Sequence, residues 1–198
     1  MVCGKQGGTA VCGRYTLMTD ENYKDILDII QKVENNTGKS VEKTGEIYPT
    51  NTAPVLINRN GRRFADLFRW GFPNFYNKGV IINARAETAP EKPMFRPCFM
   101  DHRCVIPAAG FFEWDPSKRK VQFYRPDRAL YMAGIFRVYN DIPCYVILTT
   151  AANSSVSDIH SRMPLLLDPD QIEPWLQTRE AALTILQGVP HVLQRMYA

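Results

Sequence analysis

Between residues 55 and 150 the sequence is a succession of short apolar segments separated by turn residues, a pattern that limits the chain to a strand-rich fold. The pair Asn60-Gly61 between two such segments is typical of a tight hairpin turn. We predict strands at 55–58, 63–70, 80–82, 103–107, 111–114, 121–124, 130–138 and 144–150. Strands and helices do not alternate, so a parallel α/β fold is not favoured.

Helices are expected only around this strand region. Five apolar residues repeat at helical spacing and predict one helix over 21–34: Tyr23, Ile26, Leu27, Ile30 and Val33. Thr19 or Asp20 is the expected cap, and Asn35, Asn36 and Gly38 are the expected end. Short helices are predicted at 93–100, after Asp168-Pro169, and at 178–186. The fold class is therefore α+β, a single domain with a curved antiparallel sheet or barrel-like core.

Composition narrows the class of protein only slightly. The 198 residues suit one domain with one core, and 45% hydrophobic with 22% charged residues is ordinary for a globular protein. No apolar run approaches the ~18–20 residues of a membrane span, and the first ten residues do not resemble a signal peptide. We therefore expect a cytoplasmic protein with no membrane partner. A net charge of +4 permits a polyanionic partner without requiring one.

The five cysteines do not form a metal motif. Cys3, Cys12, Cys98, Cys104 and Cys144 are an odd number without zinc-ligand spacing, so we expect free thiols and neither a metal nor an organic cofactor. Cys104 and Cys144 lie in apolar strand-like runs and are expected to be inert core residues.

Three polar residues stand in settings that a plain core does not favour. Asn83 follows the apolar run 80–82, where a local structural role is the simpler interpretation. Glu113 lies among aromatics, where burial would raise its pKa towards neutrality, or else it faces outward and pairs with a basic residue. His160 precedes Ser161-Arg162 and suits proton transfer near neutral pH.

Cys12 has a special chemistry only at a chain terminus. As an internal residue its nitrogen is an unreactive amide. As a first residue it is a 1,2-aminothiol, whose amine forms a Schiff base with an aldehyde and whose thiol then closes a thiazolidine ring.

These residues lie in five motifs that together resemble the SOS-response-associated peptidase (SRAP) family. In order they are CGRY from Cys12, RWGF from Arg69, NARAET from Asn83, RCVIP to GFFEW over 103–114, and HSRMP from His160. They cover most of the chain from Cys12 to about residue 180.

The resemblance implies a strand-rich pseudo-barrel with a positive groove for single-stranded DNA, and a covalent bond between the N-terminal cysteine and an abasic sugar. By position, Cys12 is the nucleophile, Asn83 orients the amine or the sugar, Glu113 transfers protons and His160 stabilises the opened sugar. The resemblance assigns the remaining DNA-binding roles to Arg14, Arg85 and Arg162, as phosphate ligands, and to Trp70, as an apolar platform. It implies no metal, and we expect a monomer that associates with the nucleoid when bound to DNA.

The beginning of the chain departs from the family pattern, in which Met-Cys-Gly-Arg comes first. Here eleven residues precede Cys12. Either Val11 marks the true start, as a GUG codon read as valine, or the protein cleaves its own Val11–Cys12 bond, or Cys3 serves instead. The first explanation is favoured, so the domains are a leader of residues 1–11, absent from the mature protein, and an SRAP domain of 12–198. The loop 48–54 also differs, and no DNA contact is assigned to it.

Two other functions remain open from the sequence. One is a thiol peptidase with Cys12 as nucleophile, His160 or Glu113 as base, and a protein substrate. The other is a module that binds single-stranded DNA without covalent chemistry, for which Cys12 would be dispensable.

Overall fold

The computed structural model describes residues 12–19, 21–76, 78–126 and 128–198. Within these ranges the strands are β1 (Arg14–Leu17), β2 (Gly45–Ile47), β3 (Thr52–Arg59), β4 (Arg62–Trp70), β5 (Phe72–Pro73), β6 (Val80–Ile81), β7 (Asn83–Arg85), β8 (Arg103–Ala108), β9 (Gly110–Trp114), β10 (Lys120–Tyr124), β11 (Leu130–Tyr139), β12 (Ile142–Ala151), β13 (Arg162–Pro164), β14 (Leu166–Leu167) and β15 (Gln194–Tyr197). The α-helices are α1 (Lys24–Thr37), α2 (Arg96–Asp101), α3 (Ile172–Gln177) and α4 (Arg179–Ile185).

Five strands close into a barrel. Their order is β12-β4-β3-β8-β11, and β11 pairs back onto β12 to complete the ring. β13, β14 and β7 extend the barrel by pairing with β12 or β11. The predicted strand-rich, barrel-like α+β domain is confirmed.

A second sheet lies against the barrel. It has the order β15-β10-β9-β1-β2, with every neighbour antiparallel. β8 of the barrel continues into β9 of this sheet through Ala109, so the two sheets are directly connected. The hydroxyls of Tyr15 on β1 and Tyr145 on β12 are 2.6 Å apart and join the sheets in the core.

The predicted helix over 21–34 is present, but the α-helical part begins and ends three residues later than predicted. It begins with a 3-10 turn at Glu21–Tyr23, continues as α1, and ends at Gly38, whose left-handed φ of 67° lets its N–H bond to Glu34. Asn35 and Asn36 were predicted to end the helix but lie inside it. The Asn36 side chain instead donates to the Ala65 carbonyl at 3.1 Å and fixes the helix to β4. Asp20 lies outside the described residues.

The predicted hairpin at Asn60-Gly61 is confirmed. Both residues have positive φ, 55° and 76°, as a type I′ turn requires. The flanking strands are longer than predicted because each continues in register to the barrel edge, from Thr52↔Arg69 to Arg59↔Arg62.

The prediction of antiparallel pairing does not hold everywhere. β12 pairs in parallel with both β4 and β7. Strands β1, β2, β5, β7, β13, β14 and β15 were not predicted, because each has only two to four residues and takes its regularity from a distant partner. None of the helices in the described ranges is long and apolar enough to cross a membrane.

Gly134 is required at a point where β11 pairs with a neighbouring strand on each side. It pairs with Cys104 on β8 and Ile147 on β12. A Cβ added there would overlap the Ile106 side chain and lie 2.9 Å from the Val146 carbonyl oxygen.

We therefore expect Gly134→Ala to lower the free energy of unfolding by about 1–3 kcal/mol, because the barrel must open to admit one methyl group. Denaturant melts should show this as a lower midpoint with an unchanged slope. Gly13→Ala is the control, since an added Cβ there meets no atom within 4 Å. Equal losses in both variants would contradict the barrel packing.

Candidate functional site

Cys12 and Glu113 meet in a buried pocket although 101 residues separate them. β1 pairs antiparallel with β9, with Arg14 opposite Phe112. Cys12, two residues before β1, and Glu113, directly after Phe112, therefore come to the same end of the strand pair. The backbone N–H of Cys12 donates to Glu113 Oε1 at 2.5 Å. Both residues are buried, so the contact is shielded from water.

Burial raises the pKa of the Glu113 carboxyl to about 7, and the hydrogen bond from the Cys12 N–H only partly opposes this rise. Phe112 and Trp114 precede and follow Glu113 on β9, and because successive side chains of a strand point to opposite faces, they lie on the other face of the sheet from its carboxyl. A carboxyl with this pKa exchanges its proton near neutral pH and can act as either acid or base.

The Cys12 thiol is held in its neutral form. Burial and the nearby Glu113 carboxylate raise its pKa well above the usual value. Cys12 also has a left-handed φ of 48°, which is uncommon for a residue other than glycine. Cys104 and Cys144 are buried free thiols, as expected for core residues, and Cys98, for which no core role was predicted, is also buried and free.

Arg14 lies at the edge of this pocket between two exposed aromatic rings. Its guanidinium pairs with Glu46 at 2.9 Å and lies 4.3 Å from the ring centre of Tyr48 and 5.1 Å from that of Trp114. The side chains of Tyr48 and Trp114 are each 38% exposed. Sequence reasoning missed these two residues, although Trp114 directly follows Glu113 in the GFFEW motif.

Arg85 and Arg162 approach the same end of β12 from opposite sides. Arg85 on β7 pairs with Thr149, and Arg162 on β13 pairs with Ala151. The Arg162 guanidinium binds both carboxylate oxygens of Glu87, at 2.6 and 2.8 Å, and also the Thr149 carbonyl. Arg162 holds the pKa of Glu87 below its ordinary range. Arg162, one of the predicted phosphate ligands, is therefore already paired with the carboxylate of Glu87.

Asn83 and His160 lie beside these arginines. Asn83 begins β7 opposite Ile147, and His160 ends the loop between β12 and β13. His160 Nδ1 lies 3.0 Å from the Arg162 backbone nitrogen and 3.2 Å from the Arg162 carbonyl oxygen, so it accepts from the first or donates to the second according to the ring's tautomer. Tyr145, two residues before Ile147, connects this group to the first, since its hydroxyl contacts Tyr15 and it interacts electrostatically with Cys12.

The role predicted for Trp70 needs correction. Its indole is fully buried, stacks parallel to the ring of Tyr145, and donates its N–H to the Ile82 carbonyl at 3.1 Å. A platform for a DNA base needs an exposed ring face, and Trp70 offers none. It packs between the sheets and supports the strand that leads to Asn83. Within the described ranges, no three His, Cys, Asp or Glu side chains converge as metal ligands would.

Comparison with known proteins gives consistent matches along the chain. The family described as "SOS response associated peptidase (SRAP)" matches residues 11–197. The chain is 31% identical over 194 residues to the abasic site processing protein YoaM of Bacillus subtilis, covering 90% of this chain and 85% of YoaM. It is 31% identical over 179 residues to the abasic site processing protein YedK of Escherichia coli, covering 84% and 80%.

The fold is also found among solved structures. A crystal structure of a protein from Bacteroides thetaiotaomicron superposes with a TM-score of 0.74 at 23% identity, covering 94% of this chain and 91% of the other. At this identity the likeness concerns the fold alone.

The raised pKa of Glu113 predicts how stability depends on pH in the chain that retains residues 1–11. Between the ordinary pKa of 4.5 and about 7 the folded state binds a proton that the unfolded state has lost. The free energy of unfolding therefore falls as pH rises through this window, by up to about 3 kcal/mol from this group. Glu113→Gln lacks this loss, so we expect it to be more stable than the parent at pH 8 and similar at pH 4.5.

Denaturant melts of both proteins across pH 4.5–8 measure this difference. Glu173→Gln on α3 is the matched control, because it removes an exposed carboxylate. If the gap between Glu113→Gln and the parent does not widen with pH, Glu113 is not a buried carboxyl of raised pKa.

Proposed function

Because this chain belongs to the SRAP family, we propose that it processes abasic sites in DNA by forming a thiazolidine crosslink through the α-amine and thiol of Cys12. The relatives named abasic site processing proteins support the general role. The observation that carries the specific chemistry is the Glu113 carboxyl 2.5 Å from the Cys12 nitrogen.

The first step is attack of the amine on the sugar aldehyde. The carboxylate of Glu113 takes a proton from the Cys12 ammonium, whose ordinary pKa is ~8, and the burial that disfavours the charged carboxylate favours this transfer. The freed amine adds to C1′ of the ring-opened sugar, and the carbonyl oxygen becomes a hydroxyl. Glu113 returns a proton to that hydroxyl, which leaves as water and gives a Schiff base.

The thiol of Cys12 completes the reaction. Its sulfur adds to the imine carbon, and its proton passes to the nitrogen, closing the five-membered ring. Aldehyde and aminothiol become thiazolidine and one water, so no oxidant or reductant is needed. Burial keeps the thiol neutral until this step, which suits attack by the amine first.

Recognition of a site without a base must depend on the backbone, the bend of the strand and the aldehyde. We propose that Arg14, Arg85 and Arg162 bind flanking phosphates, and that Asn83 and His160 hold the opened sugar. We propose that the partly exposed rings of Tyr48 and Trp114, rather than Trp70, stack on bases of a single strand.

The reaction requires that Cys12 be the first residue. We propose that translation begins at codon 11, and the family match, which begins at residue 11, supports this. Self-cleavage before Cys12 is the alternative. Two features favour cleavage of the Val11–Cys12 peptide bond. The Glu113 carboxyl can protonate the Cys12 nitrogen as the leaving group, and Cys12 has a left-handed φ.

We expect a chain that starts Met-Cys12, after removal of methionine, to crosslink with single-stranded DNA that contains a uracil and has been treated with uracil glycosylase. The product should persist on a denaturing gel. A chain made from Met1 that keeps its leader should give none, because its Cys12 nitrogen is an amide. Intact mass identifies the first residue of each protein.

The controls separate the rival functions. Borohydride-reduced abasic DNA lacks the aldehyde and should not react, and Cys12→Ala should be inactive. Glu113→Gln should slow crosslinking by about 10²-fold. A protein that shifts DNA only on native gels would be a non-covalent binding module, and one that cleaves proteins without any DNA adduct would be a peptidase. Crosslinking by a chain that has kept its leader would refute the mechanism.

The pairing of Arg162 with Glu87 predicts the effect of removing that carboxylate. Glu87→Gln frees the guanidinium for phosphate, so we expect affinity for intact single-stranded DNA to rise several-fold. With three arginines bound to phosphates, the log–log salt slope of the parent should be about −2, and Arg162→Gln should reduce its magnitude by about 0.7.

Fluorescence anisotropy at several salt concentrations measures both effects. Glu173→Gln changes the net charge equally but pairs with Arg63 on β4, so it should leave affinity unchanged. Weaker binding by Glu87→Gln would show that Glu87 orients Arg162 for DNA rather than competing with it.

A further inference from the structure

The end of the chain lies across the loop that carries His160. This loop, residues 152–161, connects β12 to β13 and is closed by a hydrogen bond from the Ala152 N–H to the Ser161 carbonyl at 3.0 Å. Residues 190–197, which we name the C-terminal strap, cover this loop. The strap includes β15.

Three hydrogen bonds fasten the strap to the first half of the loop. The Asn153 amide donates to the carbonyls of Pro190 and His191, at 2.8 and 3.0 Å. The Leu193 N–H donates to Ser155 Oγ at 3.0 Å. These bonds involve backbone groups of the strap. They therefore fix the path of its backbone and do not depend on any one of its side chains.

An ion pair fastens the second half of the loop. Arg195 Nη1 lies 2.7 Å from both carboxylate oxygens of Asp158, two residues before His160. Arg195 lowers the pKa of Asp158. Inside the loop, the His160 N–H donates to the carbonyl of buried Val156 at 3.0 Å, so the loop transmits its position to the imidazole.

The other side of the strap belongs to the sheet that carries Glu113. β15 pairs with β10, with Tyr197 opposite Val121, and Val121 lies opposite Glu113 on β9. Arg195 is opposite Phe123 in the same ladder. The strap therefore connects the two groups of candidate site residues by a second route, independent of the Tyr15–Tyr145 contact.

We infer that the strap sets the distance between His160 and Glu113, and that Asn153, Asp158 and Arg195 are positioning residues for crosslink formation. The inference rests on the proposed function, and none of the three residues takes part in the chemistry itself. Each acts through the loop 152–161, which carries His160.

The exposure of the ion pair limits what it can contribute to folding. The side chains of Arg195 and Asp158 are 40% and 55% exposed, and exposed ion pairs of this kind contribute little to stability. Displacement of a catalytic group by an ångström can nevertheless lower a rate about 10²-fold. The pair is thus expected to matter for rate and not for folding.

The test measures single-turnover crosslinking of the Cys12-initiated chain to abasic single-stranded DNA at saturating and subsaturating DNA. We expect Arg195→Gln to lower the maximal rate about five- to twentyfold, with half-saturation and the thermal midpoint nearly unchanged. Arg195→Lys, which keeps the positive charge but lacks the planar guanidinium group, should recover part of the rate. Arg179→Gln is the matched control, because the Arg179–Asp101 pair is similarly exposed, at 55% and 54%, and should leave the rate unchanged.

A double-mutant cycle identifies the route of the effect. In a His160→Gln background, Arg195→Gln should cause no further loss, because the residue it positions is gone. Losses that multiply, or a wild-type rate in Arg195→Gln, would overturn the inference while leaving the proposed function intact. A parent protein that forms no crosslink would refute the proposed function, and this inference with it.

Discussion

The contact between the Cys12 nitrogen and the Glu113 carboxyl depends on the exclusion of water, and the rest of the site is arranged around it. In water this carboxyl would be ionised at neutral pH and the contact would be weak. In its buried position, desolvation raises its pKa to about 7. The same burial keeps the Cys12 thiol protonated, so one physical cause adjusts both partners of the proposed reaction.

This exclusion of water comes from the way the two sheets are joined. β8 continues directly into β9, and the Tyr15 and Tyr145 hydroxyls bond across the interface. Trp70 fills the space beside them. The large buried aromatics thus hold Cys12 on the second sheet close to the barrel strand β12, which in turn brings β7 and β13 to the site.

Two of the arginines at the site are paired with carboxylates of the same chain, Arg14 with Glu46 and Arg162 with Glu87. Such pairs orient a guanidinium before any ligand arrives, but they also lower its net charge. If phosphates bind here, their affinity reflects the competition between these carboxylates and the DNA backbone.

Much of this was accessible from the sequence, because it depends on local pattern. The apolar segments predicted the long strands, the positive-φ preference of Asn60-Gly61 predicted the hairpin, and the spacing of Ile26 and Val33 predicted the buried face of α1. The five motifs identified the family, and aromatic neighbours indicated that Glu113 was a candidate for a raised pKa. Only the tertiary structure decided which tryptophan is buried and which is exposed. It also decided which strands pair in parallel and that Arg162 pairs with Glu87. The physical reason is that burial, pairing and charge competition depend on residues far apart in the chain, whereas turn and strand preferences depend on neighbours.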